Sequence, residues 1–365
     1  MSKNMFFTGS AGQVGAKLQE NYDRLLENTK KWSEILSFDP YPQTGMTPKE
    51  IVWRKNKAKL YRYYSDQEPT HRIPVLFLYA LINKAYVLDL TPGMSVVESL
   101  VKKGFDVYLL EWGEFEWEDR NLTMADLVYD YIARAVKKVC QYSGSQELSI
   151  IGYCMGGTMS AMYASLFPQP VIRNLVLLAS PIDFGNAGLV TQWLHTTFGN
   201  DVDKIVDTFE LVPKEFVDIG LKMLNPVNNF IGTYTRLWKM IDEEVPVHSW
   251  KVLNKWVDDN VNFPGGAYRQ WIKDLYQDNQ LINNEFRLRG KVVDLARIQS
   301  SLLVLAGARD HIVLPHQVKI ALQAFSSPDH EYHEFNIGHG GLVFGKVAQK
   351  QVYPLLSKWL GARSD

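Results

Sequence analysis

The chain has 365 residues, 46% of them hydrophobic and 22% charged, with a formal net charge of −1. A balance this close to neutral excludes the basic footprint of a nucleic-acid binder and long-range attraction to an anionic membrane. The only cysteines, Cys140 and Cys154, are too few for a disulfide framework. No apolar run approaches the ~20 residues of a membrane span, and MSKNMFFTGSAGQ has no sustained apolar stretch of signal-peptide type. The expectation is a reduced, cytoplasmic protein.

Residues 1–37 read mostly as helix. Val14, Leu18, Tyr22, Leu25, Leu26 and Ile35 recur at steps near three and four, which places them on one apolar stripe. Such a stripe packs on its own domain or docks a partner. Within it, Phe6–Lys17 (FFTGSAGQVGAK) resembles the glycine-rich turn of dinucleotide-binding short-chain dehydrogenases, with Gly9, Gly12 and Gly15 spaced by three. Against that reading, the strand before it would have only about four residues, and no second strand ending in Asp or Glu comes ~20 residues on. No tyrosine has a lysine four residues later, the usual catalytic pair of that family. The glycines are read as a flexible turn, and no cofactor is expected. Residues 38–72 are turn-rich, with a short apolar-aromatic segment at Leu60–Tyr64, so 1–72 forms an N-terminal helical and irregular segment.

From Ile73 apolar runs end in turns and alternate with helical patterns. The runs are 73–81, 106–112, 148–154, 173–181, 301–309 and 330–336; helical patterns fill Met94–Lys103, Thr123–Tyr142 and Pro315–Phe325. This alternation implies a mainly parallel sheet with helices on both faces. It breaks over 183–296, a stretch rich in Trp, Asn and Pro that is too long for a loop. The expected organisation is an α/β core over 73–182 and 297–365, with 183–296 inserted as a cap over the C-terminal edge of the sheet.

In the third run, Gly152-Tyr153-Cys154-Met155-Gly156 fits the small-x-nucleophile-x-small pattern of the strand-to-helix elbow of an α/β-hydrolase, with cysteine where serine is usual. A buried cysteine is a common structural residue, so the elbow gains weight only from partners further along the chain. Asp310, in AGARDHIV after the strand-like run 301–309, and His339, in NIGHGG after the last run, complete the order nucleophile, acid, histidine. His311 adjoins the acid and is a candidate supporting group; His316, His330 and His333 read as surface or strand-edge residues. No histidine or cysteine has metal-ligand spacing, so no metal is expected. A thiol has a pKa near ~8.5 and needs help at neutral pH, which His339 would give as base. The oxyanion would be held by the backbone N–H of Met155 and by an N–H from the loop after 73–81, assigned to Ile82.

Most of the chain resembles the polyhydroxyalkanoate synthases, bacterial enzymes that polymerise 3-hydroxyacyl-CoA into storage polyester. Six ordered motifs carry the resemblance: 45–63 (GMTPKEIVWRKNKAKLYRY), 79–92 (YALINKAYVLDLTP), 152–157 (GYCMGG), 256–268 (WVDDNVNFPGGAY), 307–315 (GARDHIVLP) and 338–341 (GHGG). It implies an acyltransferase with a thioester on Cys154, (R)-3-hydroxyacyl-CoA (3-hydroxybutyryl-CoA as the short-chain case) as substrate, CoA as leaving group and association with the polyester granule surface. The chain is short, like synthases that work with a second subunit, and its box is most like the Bacillus-type enzymes, whose partner is a small R-type subunit. Leu314-Pro315 departs from the Pro-Trp of many single-component members. The E-type partner class and a homodimer stay open, as does Asp310's role: orienting His339 or activating the substrate hydroxyl. The rival enzyme is a thiol-dependent thioesterase or polyester depolymerase on the same fold.

Overall fold

A computed structural model describes residues 10–37, 43–168, 171–196, 201–225, 235, 238–239, 241–242 and 244–364. The chain divides into two compact units, one of residues 1–42 and 226–255, the other of 43–225 and 256–365.

The larger unit is built on one eight-stranded sheet. Two strands, β1 (Lys49–Lys55) and β2 (Ala58–Tyr63), precede six that coincide with the apolar runs: β3 (Val75–Leu78), β4 (Val107–Glu111), β5 (Glu147–Tyr153), β6 (Val171–Leu178), β7 (Ser301–Gly307) and β8 (His330–Phe335). Their order is β1-β2-β4-β3-β5-β6-β7-β8. Neighbours from β4 across to β8 run parallel, and β1 and β2 add an antiparallel edge. Val75 to Leu78 and Leu148 to Tyr153 are buried on both faces, which is why these strands read as continuous apolar runs rather than alternating ones. Helices fill the connections over 124–143, Met155–Leu166, 315–324 and Tyr353–Gly361.

The β1–β2 hairpin corrects the expectation of an irregular 38–72. Its two-residue loop is Asn56-Lys57, with Asn56 at φ +50°, a left-handed conformation asparagine tolerates. Ala58 and Leu60 are buried against the core, whereas Lys55, Lys57 and Lys59 are not. Lysines on the open face hide the strand period in the sequence.

In the smaller unit a helix runs from Ser10 to Ser37. Gly12 and Gly15 therefore lie inside a helix, not in the flexible turn expected, since the good helix formers around them (Ala11, Gln13, Ala16, Lys17, Leu18) offset the ~1 kcal/mol that each glycine costs a helix; Gly9 lies outside the described residues. Of the apolar stripe, Tyr22, Leu25 and Leu26 are exposed, and the side chains of Val14, Leu18 and Ile35 lie outside the described residues. Near the helix end, Lys31 pairs with Asp242 at 2.7 Å and the rings of Trp32 and Trp238 meet edge-on at 5.7 Å. Among the described residues, no helix is long and apolar enough to cross a membrane.

Between β6 and β7 the chain leaves the sheet over 183–296. The part belonging to the larger unit forms short helices, among them Val202–Phe209, Lys214–Met223 and Gly265–Arg269, and an antiparallel pair of Leu211–Val212 with Phe263–Pro264. Hydrogen bonds fasten it to the loops after β3 and β4: Val261 N–H to Ile82 O (3.0 Å), Trp256 Nε1–H to Lys84 O (2.9 Å) and Gly266 N–H to Arg120 O (3.1 Å).

Candidate active site

β5 ends in a turn that only small neighbours permit. Cys154 takes φ +53° and ψ −128°, a strained conformation for a residue with a side chain. It is held by Cys154 N–H to Leu178 O at 2.9 Å and Gly157 N–H to Cys154 O at 3.0 Å. The Met155–Leu166 helix starts at once and presses back on the sheet. A Cβ at Gly152 would sit 2.2 Å from Gly157 Cα, and one at Gly156 would sit 2.3 Å from Leu78 O. Glycine at both places lets the turn close and leaves Cys154 at its tip, half-buried and unpaired to any other cysteine.

The two partners arrive from the neighbouring parallel strands. Asp310 follows β7, where its N–H bonds to Gly307 O at 2.9 Å. Its side chain is fully buried, and one oxygen, Oδ1, accepts the N–H groups of Ile312 (2.9 Å) and Val313 (3.0 Å). The other, Oδ2, meets His339 Nδ1 at 2.7 Å. His339 opens a single helical turn, His339–Leu342, in the loop after β8. Cys154 also acts electrostatically on the ring, and with Nδ1 engaged by Asp310 the free nitrogen is Nε2. The structure therefore brings Cys154, His339 and Asp310 into one neighbourhood.

Burial pulls the pKa of His339 down, but the charges of Asp310 and Cys154 and its hydrogen bond to Asp310 push it up further, so it lies well above 6.5.

Met155, the first residue of the helix, is buried directly after the cysteine, and a first-turn N–H has no intrahelical acceptor. Ile82 lies in the loop after β3, where its carbonyl accepts from Val261. The stretch of that loop in closest contact with the elbow is Leu78–Tyr79, against Gly156. His316 bonds Asn186 O (2.7 Å), His330 Ser327 O (3.1 Å) and His333 Glu331 (3.2 Å), all away from the elbow.

Two tyrosines escaped the sequence reading. Tyr153 lies under the imidazole, with ring centroids 5.1 Å apart and planes 35° apart. Tyr276, from the segment 183–296, is kept neutral chiefly by burial and then by the charges of Cys154 and Asp310. Its ring packs edge-on against Phe184 at 4.9 Å, and Phe184 against Trp271 at 5.4 Å. This buried aromatic cluster lies within electrostatic range of the cysteine through Tyr276. Tyr153 was in view inside the box, but nothing in its spacing marks a residue next to a distant histidine. Tyr276 lies in a stretch without periodicity.

Residues 73–346 match the alpha/beta hydrolase fold model, and residues 18–100 match the family described as Poly-beta-hydroxybutyrate polymerase (PhaC) N-terminus. The chain is 38% identical over 347 residues to the Poly(3-hydroxyalkanoate) polymerase subunit PhaC of Haloferax mediterranei, covering 95% of this chain and 70% of that protein. To the same subunit of a Synechocystis species it is 34% identical over 362 residues, covering 96% and 95%. To that of Thiocystis violacea it is 35% identical over 325 residues, covering 88% and 90%. Two solved structures share the fold at low identity. A candidate lipase from Sulfolobus solfataricus has a TM-score of 0.56 at 16% identity, covering 86% of this chain and 99% of that chain. DcsB in complex with its substrate analogue has a TM-score of 0.56 at 14% identity, covering 87% and 99%.

Proposed function

Because this chain belongs to the poly(3-hydroxyalkanoate) polymerase (PhaC) family, acyltransferases that make polyester on an α/β-hydrolase fold, we propose that it polymerises (R)-3-hydroxyacyl-CoA through an acyl thioester on Cys154. The observation that carries this reading is the buried His339–Asp310 pair brought within electrostatic range of Cys154 at the tip of the elbow.

The imidazolium of His339 favours the thiolate of Cys154. The thiolate attacks the thioester carbonyl of the substrate, and the oxyanion is held by the N–H of Met155 and that of Ile82. The carbon–sulfur bond to CoA breaks, the leaving sulfur takes the proton from His339, and the acyl group stays on Cys154. Thioester is exchanged for thioester, so the acyl group remains activated. His339, now neutral, takes the proton of an incoming 3-hydroxyl. The alkoxide attacks the acyl carbon, forming the ester bond and returning the thiolate.

Asp310 orients His339 in this scheme and does not itself deprotonate the hydroxyl. Both of its oxygens are engaged, Oδ1 by two backbone N–H groups and Oδ2 by the imidazole, so acting on substrate would break a buried bond. Residues 183–296 serve as a cap whose aromatic side excludes water, which competes with the hydroxyl for every acyl-enzyme. The short-chain substrate 3-hydroxybutyryl-CoA, a small R-type partner subunit and attachment to the polyester granule complete the reading. The family resemblance supports them.

The test supplies 3-hydroxybutyryl-CoA and monitors CoA release against insoluble polymer, with and without the partner subunit. Polymer from the parent and none from Cys154→Ala is expected. Free 3-hydroxybutyrate without polymer, partner included, would make the chain a thiol-dependent thioesterase or depolymerase instead.

A further inference from the structure

Tyr153 sits one residue before the cysteine, and its ring is buried beneath that of His339, with centroids 5.1 Å apart and planes 35° apart. Its hydroxyl is also buried and, among the described residues, has no hydrogen-bond partner. A tyrosine whose polar atom is unpaired contributes through its ring. The face of an aromatic ring carries negative potential and attracts a cation within about 6 Å of its centroid, more strongly when both are out of water.

Resting on the reading of His339 as the base for Cys154, we propose that Tyr153 is a positioning residue whose ring face seats His339 and stabilises its imidazolium form. The ionisable groups around that imidazole are Asp310 from the loop after β7, Cys154 from the elbow and Tyr153 from the end of β5, with Tyr276 of the cap facing the first two. Asp310 acts on the ring nitrogen Nδ1. Tyr153 meets the ring itself, with centroids 5.1 Å apart and planes tilted by 35°. Each proton His339 accepts in the cycle, from the thiol or from a hydroxyl, thereby creates a cation already resting on a π surface. The phenol stays neutral, since burial first and then the charges of Cys154 and Asp310 raise its pKa well above 10.

The experiment titrates His339 by NMR in the full chain with 13C-labelled histidine, its signal assigned by its loss in His339→Gln. Three replacements at position 153 are compared. Tyr153→Phe keeps the ring and removes the unpaired hydroxyl, and is expected to leave the His339 midpoint within about 0.2 pH unit of the parent. Pentafluorophenylalanine keeps the shape but reverses the ring's charge distribution, and is expected to lower the midpoint by roughly half a unit to one unit. Tyr153→Leu, if it folds, is expected to do the same. The acid limb of the kcat profile would move with the midpoint while KM stays within about twofold. A pentafluorophenylalanine midpoint equal to that of phenylalanine would overturn the proposal. Repeating the series in Cys154→Ala separates the two readings: polymer made by Cys154→Ala would refute the acyl-cysteine assignment, whereas the His339 midpoints in that background still test the ring.

Discussion

Asp310 has two separable duties, and two substitutions divide them. Asp310→Ala leaves the N–H groups of Ile312 and Val313 without their acceptor and the buried imidazolium without its counter-charge. Removing one partner of a buried pair costs about 3–5 kcal/mol, so a comparable loss in denaturant-unfolding stability is expected. Asp310→Asn can still accept both N–H groups through its amide oxygen, but it turns an NH₂ toward Nδ1 and selects the wrong tautomer. Its unfolding midpoint should move less, while acyl transfer falls about 10³–10⁴-fold. The same contact sets a pH dependence. Because the folded pKa of His339 is raised above the ordinary value near 6.5, the stability it contributes is fully present below about pH 6.5 and is lost as the pH rises through the raised value. The stability difference between parent and His339→Gln, measured by urea unfolding at successive pH values, should shrink as pH increases from there. A difference that grew with pH would refute the sign.

At the scale of elements, the elbow is the junction on which the site depends. Gly156→Ala would place a methyl 2.3 Å from Leu78 O and 2.5 Å from Tyr79 N, both backbone atoms of a central strand and its exit loop that have no room to yield. Overpacking of this kind costs about 1–3 kcal/mol and occasionally more. The expected result is a lowered unfolding midpoint together with loss of acyl transfer, since the same shift displaces Cys154 from His339. Unchanged activity would mean that the elbow can relax. This junction was legible in the sequence because its requirement is local: a buried strand, a nucleophile between glycines and a helix succeed one another within about 20 residues. Asp310 and His339 were legible for the same reason, each lying directly after an apolar run. The β1–β2 hairpin was not, because its lysines alternate on a solvated face and Asn56-Lys57 gives a weaker turn signal than Asn-Gly. Tyr276 was not either, because its place beside Cys154 arises from tertiary packing of an irregular segment rather than from any period along the chain.

At the scale of the whole molecule, the proposed function makes the balance between polymer and hydrolysis depend on how long residues 183–296 stay closed over the acyl-enzyme. Their described attachments to the loops after β3 and β4 include several directional hydrogen bonds. One of them, the indole N–H of Trp256 to Lys84 O at 2.9 Å, comes from a side chain and can be removed without touching the backbone. Trp256→Phe keeps most of the apolar contact and deletes that bond, which is worth about 1 kcal/mol, so the open form of the cap should become roughly fivefold more populated. Water then reaches the thioester more often, whereas Cys154, His339 and Asp310 are unaltered. The expected outcome is near-parental CoA release on the first turnover, with several times more free 3-hydroxy acid for each unit of polymer. Limited proteolysis should cut faster within 183–296, while the rest of the chain resists as before. Faster cutting without extra free acid would mean that the cap opens but does not guard the thioester. Extra free acid without faster cutting would place the water barrier in the aromatic cluster of Phe184, Trp271 and Tyr276, and not in the closure of the cap.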